Sequence, residues 1–140
     1  MASELKVDKF TGVTTAGSIL VTGEGGSTTT NLQQGLAKAW GNLDGTGTIE
    51  IRDSFNIGSA TDGGTGYYTF NYTNDMSNDD YSASENVAET SGFEGHMNRY
   101  PAVDGIATNK VTFGATFESG GSAANYDVDE LYVTIFGDLA

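Results

Sequence analysis

Residues 65–81 read TGYYTFNYTNDMSNDDY, and Tyr68, Phe70 and Tyr72 fall at every second position. Successive side chains of a strand point to opposite faces, so this spacing specifies a strand with one aromatic face. The intervening Tyr67, Thr69, Asn71 and Thr73 are mainly polar. Such a strand belongs to a sheet that buries one side and wets the other. Residues 74–80 then supply Asn, Asp and Ser, the residue types of a turn, before Tyr81.

The same alternation recurs. Val111, Phe113, Ala115 and Phe117 alternate with Thr112, Gly114, Thr116 and Glu118. Leu131, Val133 and Ile135 share one face of a last strand, with Glu130, Tyr132, Thr134 and Phe136 on the other. That half-aromatic second face fits a surface packed within a sandwich or a subunit interface, where Tyr and Phe are enriched. Ile49 and Ile51 begin another strand, which Phe55 and Ile57 continue after a bend at Asp53–Ser54. Asp62–Gly63–Gly64 makes a turn, residues 82–90 form a weaker strand, and residues 91–105 read as a long loop. Near the N-terminus, residues 4–10 and 18–22 read as strands and residues 23–30 as a flexible connector. Leu32, Leu36, Ala39 and Trp40 stand near helical spacing, with Asn31 or Thr30 as cap. Gly35 weakens that helix by about 1 kcal/mol. The expected fold is all-β: an antiparallel β-sandwich, jelly-roll-like, with an N-terminal arm and one short helix. The arm spans residues 1–30; the sandwich body spans 31–140, with its helix near 31–40.

Composition agrees. Twenty glycines against one proline in 140 residues suit short strands joined by tight turns. The length is that of one domain with a real core. Residues 1–40 balance three acidic against three basic side chains; the rest holds 16 acidic and three basic. An acidic body disfavours nucleic acid and anionic membrane, because phosphate binding needs clustered Lys or Arg. No apolar run is long enough to span a bilayer, so membrane insertion is not expected. The opening MASELKVDKF has no apolar core of a secretory signal.

Residues suited to catalysis are sparse. His96 is the one histidine and there is no cysteine, which excludes a zinc site of the usual ligands. A triad of His96, a serine and Asp104 lacks any GxSxG elbow. Asp79 with Asp80, and Asp127, Asp129 and Glu130, pair carboxylates without specifying a glycosidase cleft. Asn42, Asp44, Thr46 and Glu50 lack the order and spacing of a calcium loop, and residues 78–80 read as an Asx-rich turn. GEGGSTTT has no Lys after its glycines, so it is not a phosphate loop. Asn71–Tyr72–Thr73 matches a glycosylation acceptor but lies in a strand. The expectation is a protein that is not an enzyme, with no cofactor and no assigned metal ligands; calcium on the oxygens of residues 78–80 stays open.

Three segments carry a family resemblance: LKVDKFTGVTTAGSILVTGEG (residues 5–25), STTTNLQQGLAKAWGNLDGTGTIEIRDSFNI (27–57) and the TG-x-Y-T-x-N-x-T-x-x-M-x-x-x-x-Y pattern from Thr65 to Tyr81. The terminal IFGDLA adds to them. Together they resemble tail-fibre-like and appendage virion proteins of marine bacteriophages; the resemblance thins over residues 82–108. It implies a β-sandwich module that trimerises, sits on the particle surface among other virion proteins and contributes to host adhesion. Capsid decoration (a cement or capsid-fibre protein) is the alternative position. A carbohydrate-binding module, with Tyr67, Tyr100 and Tyr126 stacking on a host surface glycan, is a further one. The expected anchoring or oligomer contacts are Leu5, Val7, Ile19, Leu20, Val21 and Trp40. The expected outward loops carry Asn74, Asp75, Asn78, Asp79, Asp80, His96, Arg99 and Tyr100.

Overall fold

The computed structural model describes residues 4–14, 18–88, 96–99, 105–119 and 122–140; residues 96–99, 117–119 and 122–123 are described by backbone alone. The chain divides into two units, residues 1–36 and 37–140. The boundary thus falls six residues beyond the end expected for the arm.

In the first unit, β1 (Leu20–Thr22) and β2 (Thr29–Asn31) form an antiparallel hairpin. The expected connector is its turn, closed by Gly23 N–H to Thr28 O at 2.8 Å. Residues 4–10 form no strand, because their alternating Leu5 and Val7 find no sheet to join. The short helix near 31–40 is also absent. Asn31 Oδ1 instead accepts from the N–H of Gln33 at 2.8 Å, and Gly35 N–H reaches Asn31 O, making one turn. Gly35 does not propagate it, and the chain enters a strand at Ala39, one residue before Trp40.

The second unit is a sandwich of two antiparallel sheets. One has the order β4-β3-β12-β7, built from β3 (Ala39–Asp44), β4 (Glu50–Phe55), β7 (Ser82–Ala88) and β12 (Glu130–Phe136). The other joins β5 (Ile57–Asp62), β6 (Tyr67–Tyr72), β10 (Lys110–Ser119) and β11 (Ser122–Asn125) in the order β11-β10-β6-β5. Two further strands, β8 (His96–Arg99) and β9 (Ile106–Ala107), pair with β10. His96 and Arg99 therefore belong to a strand in register with Phe117 and Gly114, not to a loop. The ladder they can complete on β10 outweighs the glycine-rich look of their neighbours.

The three alternating runs meet between the sheets. Tyr68, Phe70 and Tyr72 of β6, Val111, Phe113 and Ala115 of β10, and Leu131, Val133 and Ile135 of β12 are all buried. Phe70 and Phe113 meet edge to face at 6.2 Å, as do Tyr72 and Tyr81 at 6.0 Å. Such pairs add about 1 kcal/mol each beyond area burial. Gly41 of β3 lies against Phe70, Ile57 and Val133, so the sheets approach closely there.

The chain changes sheets between β4 and β5, at Asn56, the one described non-glycine residue with positive φ (59°). The bend expected at Asp53–Ser54 is thus displaced. What lies near those residues is a bulge, where the β3–β4 register shifts and Arg52 is the additional residue. Asn56 is held by its own side chain. Its Nδ2 donates to Lys38 O at 3.1 Å and Asn74 O at 3.0 Å, and its Oδ1 accepts from Asn74 N–H at 2.8 Å.

Candidate interaction surface

The outer face of the four-stranded sheet is where large apolar side chains meet water. Trp40 lies directly opposite Phe55 on one side and Thr134 on the other. Tyr132 and Phe136 flank Thr134 along β12, hence stand diagonal to Trp40 and within reach of it. Trp40, Phe55, Tyr132 and Phe136 are 39 %, 49 %, 39 % and 40 % exposed. The alternatives left by the half-aromatic face of β12 thus resolve: it is not a second surface packed inside the sandwich.

Arg52 defines one end of this face. Its guanidinium bridges Asp44 Oδ2 at 2.7 Å and Glu130 Oε1 at 2.9 Å. Asp44 Oδ1 also accepts from the Thr46 hydroxyl at 2.6 Å and the Thr46 N–H at 2.9 Å. The Thr46 hydroxyl, with its N–H and Arg52, holds the Asp44 carboxyl below its usual range. A guanidinium therefore fills the place a cation would take beside Asp44. Among the described residues no group of three His, Cys, Asp or Glu is arranged to hold a metal ion, and no helix is long and apolar enough to cross a membrane.

The outer face of the other sheet is different in kind. Thr69 and Thr112 share a hydroxyl contact of 2.8 Å, and Asn71 Nδ2 donates to Ser59 and Thr61 hydroxyls. Tyr67 shares this face, half-buried. Tyr126 packs against the core instead, and Tyr100 lies outside the described residues. Of the tyrosines expected to stack on a sugar, the two described, Tyr67 and Tyr126, therefore differ in setting, one on the outer face and one against the core.

Asn74, Asp75, Asn78, Asp79 and Asp80 are exposed. The loop is nonetheless stapled. Met76 is buried and bridges Leu139; Met76 N–H donates to Thr108 O at 2.7 Å and Ser77 N–H to Asp138 O at 2.8 Å. Asn78 Oδ1 accepts from Asp80 N–H, the Asx turn that its sequence indicates. Of the expected anchors, Leu5, Val7, Leu20 and Val21 are exposed, Ile19 is half-buried, and Trp40 belongs to the aromatic face.

Two buried polar groups escaped the sequence reading. Tyr68 carries its hydroxyl to the sandwich end, where it reaches Asp127 Oδ1 at 3.0 Å and Gly45 O at 3.2 Å. Burial, then the Asp127 carboxylate, raises its pKa. Glu85 points inward from β7, opposite Val133, and burial pushes its carboxyl up to about 8. Period-two placement beside Ala83 and Val87 was the available signal for Glu85, but carboxylates are seldom buried.

The chain matches no protein-family model, no curated protein and no solved structure.

Proposed function

We propose that this chain is a non-enzymatic structural protein of a phage particle, a β-sandwich module displayed at the surface and attached through its N-terminal arm. One observation carries the reading. The arm leaves Leu5, Val7, Leu20 and Val21 exposed, while residues 37–140 already close a core of their own. Apolar side chains left exposed on a segment outside the core fit a surface that a partner covers. In a particle, neighbouring subunits supply that partner. The resemblance of residues 5–25, 27–57 and 65–81 to appendage proteins supports the same reading.

On this reading the protein forms a homotrimer of the tail-fibre or appendage type. The loop at residues 74–80 is presented outward on a rigid sandwich, the arrangement in which loops serve recognition. Capsid decoration is the competing position, and copy number separates them: a few dozen chains or fewer per particle fits the tail, hundreds fits the capsid. The decisive experiment removes residues 1–25 and measures incorporation into purified particles. Loss of incorporation with a folded body is the expected result. Incorporation at the wild-type level would remove the arm from the attachment role.

A further inference from the structure

The chain has two apolar surfaces without cover among the described residues. The first is the arm, with Leu5 73 % and Phe10 59 % exposed and, among its described residues, a three-pair hairpin for regular structure. A hairpin of that size is marginal in water alone. The second is the aromatic face of Trp40, Phe55, Tyr132 and Phe136.

Charge decides what can approach that face. Residues 37–140 hold 16 acidic and four basic side chains, a net −12, and Asp44, Glu50, Asp53 and Glu130 border the aromatic face, with Arg52 bridging Asp44 and Glu130. Two such bodies brought face to face repel each other. Residues 1–36 hold three acidic and two basic side chains, a net −1, and Glu4, Lys6, Asp8 and Lys9 around Leu5 and Val7 sum to zero. The arm is thus the part of a second copy that meets an acidic body without that repulsion. Lys6 already pairs with Glu4 at 3.3 Å, so what the arm brings to the aromatics is its apolar side chains, with little charge of either sign.

We propose that the arm of one copy docks, through Leu5 and Val7, on the outer aromatic face of the four-stranded sheet of another copy. The contact joins unlike surfaces. Each copy therefore offers one arm and one face, and repetition closes into a ring or continues as a chain. This inference does not depend on the chain belonging to a virion.

The test uses the full chain and sedimentation over a wide concentration range. The wild type is expected to associate. Leu5→Ser with Val7→Ser (arm variant), and Phe55→Ser with Tyr132→Ser (face variant), are each expected to raise the dissociation concentration at least 100-fold with an unchanged circular dichroism spectrum. Mixing the two restores association, as one-to-one pairs, because each retains the surface the other lacks. A monomeric wild type at every concentration overturns the proposal. So does an arm variant that still associates, since face-to-face packing would then be the contact. The absence of native cysteine gives a readout independent of the serine variants. Val7→Cys and Phe55→Cys chains, mixed under oxidising conditions, are expected to give a cross-linked dimer above the level of either alone; cross-linking no greater than in the separate samples counts against the docking.

Discussion

Asn56 makes two contributions that separate by mutation. It occupies a left-handed conformation that Asn tolerates better than most residues, and its side chain ties Lys38, Asn74 and the sheet corner together. Asn56→Ala loses both and is expected to cost about 2–4 kcal/mol in urea denaturation. Asn56→Gly keeps the backbone freedom and should cost about 1 kcal/mol less. Gly66 is constrained more severely. It has φ +71°, its N–H donates to Asp127 at 2.7 Å, and a Cβ would sit 2.8 Å from Tyr126 N. Gly66→Ala is expected to cost roughly 2 kcal/mol or more by the same measurement. Glu85 makes stability depend on pH. The folded state holds its proton up to about pH 8, whereas the ordinary value is 4.5. Its contribution is full below the ordinary value and is lost as pH rises through that window, levelling off above it. Glu85→Gln should flatten this part of the stability–pH curve and stabilise the protein at pH 8 by on the order of a few kcal/mol; an unchanged slope would contradict it. An Asn before Ile and a Gly in a TG pair acquire meaning only from what the fold brings beside them, whereas Glu85 has its alternation with Ala83 and Val87 as a local signal.

At the scale of elements, the sequence is most readable where one side of a strand is buried and the other wet. β6, β10 and β12 stand where their alternation places them, because a slip of one residue would move every apolar side chain to the wrong face. The segment at residues 31–40 misleads for a physical reason. Leu32, Leu36 and Trp40 repeat every four residues, yet only one turn forms, and Trp40 pairs across β3 with Phe55 and Thr134. A short helix with a central glycine has little to hold it, while a strand there completes two ladders. Phe55 and Ile57 mislead similarly. Their spacing implies one face of one strand, but the change of sheet at Asn56 leaves Phe55 exposed and Ile57 buried. The aromatic face was half visible in Tyr132 and Phe136; Trp40 and Phe55 joined it only through strand order. The end of the sandwich at Tyr68 offers an element-level test. Tyr68→Phe removes the hydroxyl that links β6 to Gly45 and Asp127, and is expected to cost about 1–3 kcal/mol in thermal or urea unfolding.

For the whole molecule, the division at residue 36 implies that stability resides in the body. Residues 37–140 expressed alone are expected to unfold cooperatively within a few degrees of the full chain, as followed by circular dichroism. A fall of more than about 10 °C, some 2–3 kcal/mol for a domain of this size, would mean that the arm contributes to the core. The net −13 also opposes compactness, so added salt should raise the unfolding temperature through screening. The two sheets give this molecule one more property. One outer side is lined with the hydroxyls and amides of Ser59, Thr61, Thr69, Asn71 and Thr112, the other with Trp40, Phe55, Tyr132 and Phe136. A sandwich body so finished has two unlike sides. Laid on an apolar support, it would settle aromatic side down and turn a wettable, hydroxylated surface to the solution, so that a layer of such molecules is oriented without any covalent attachment.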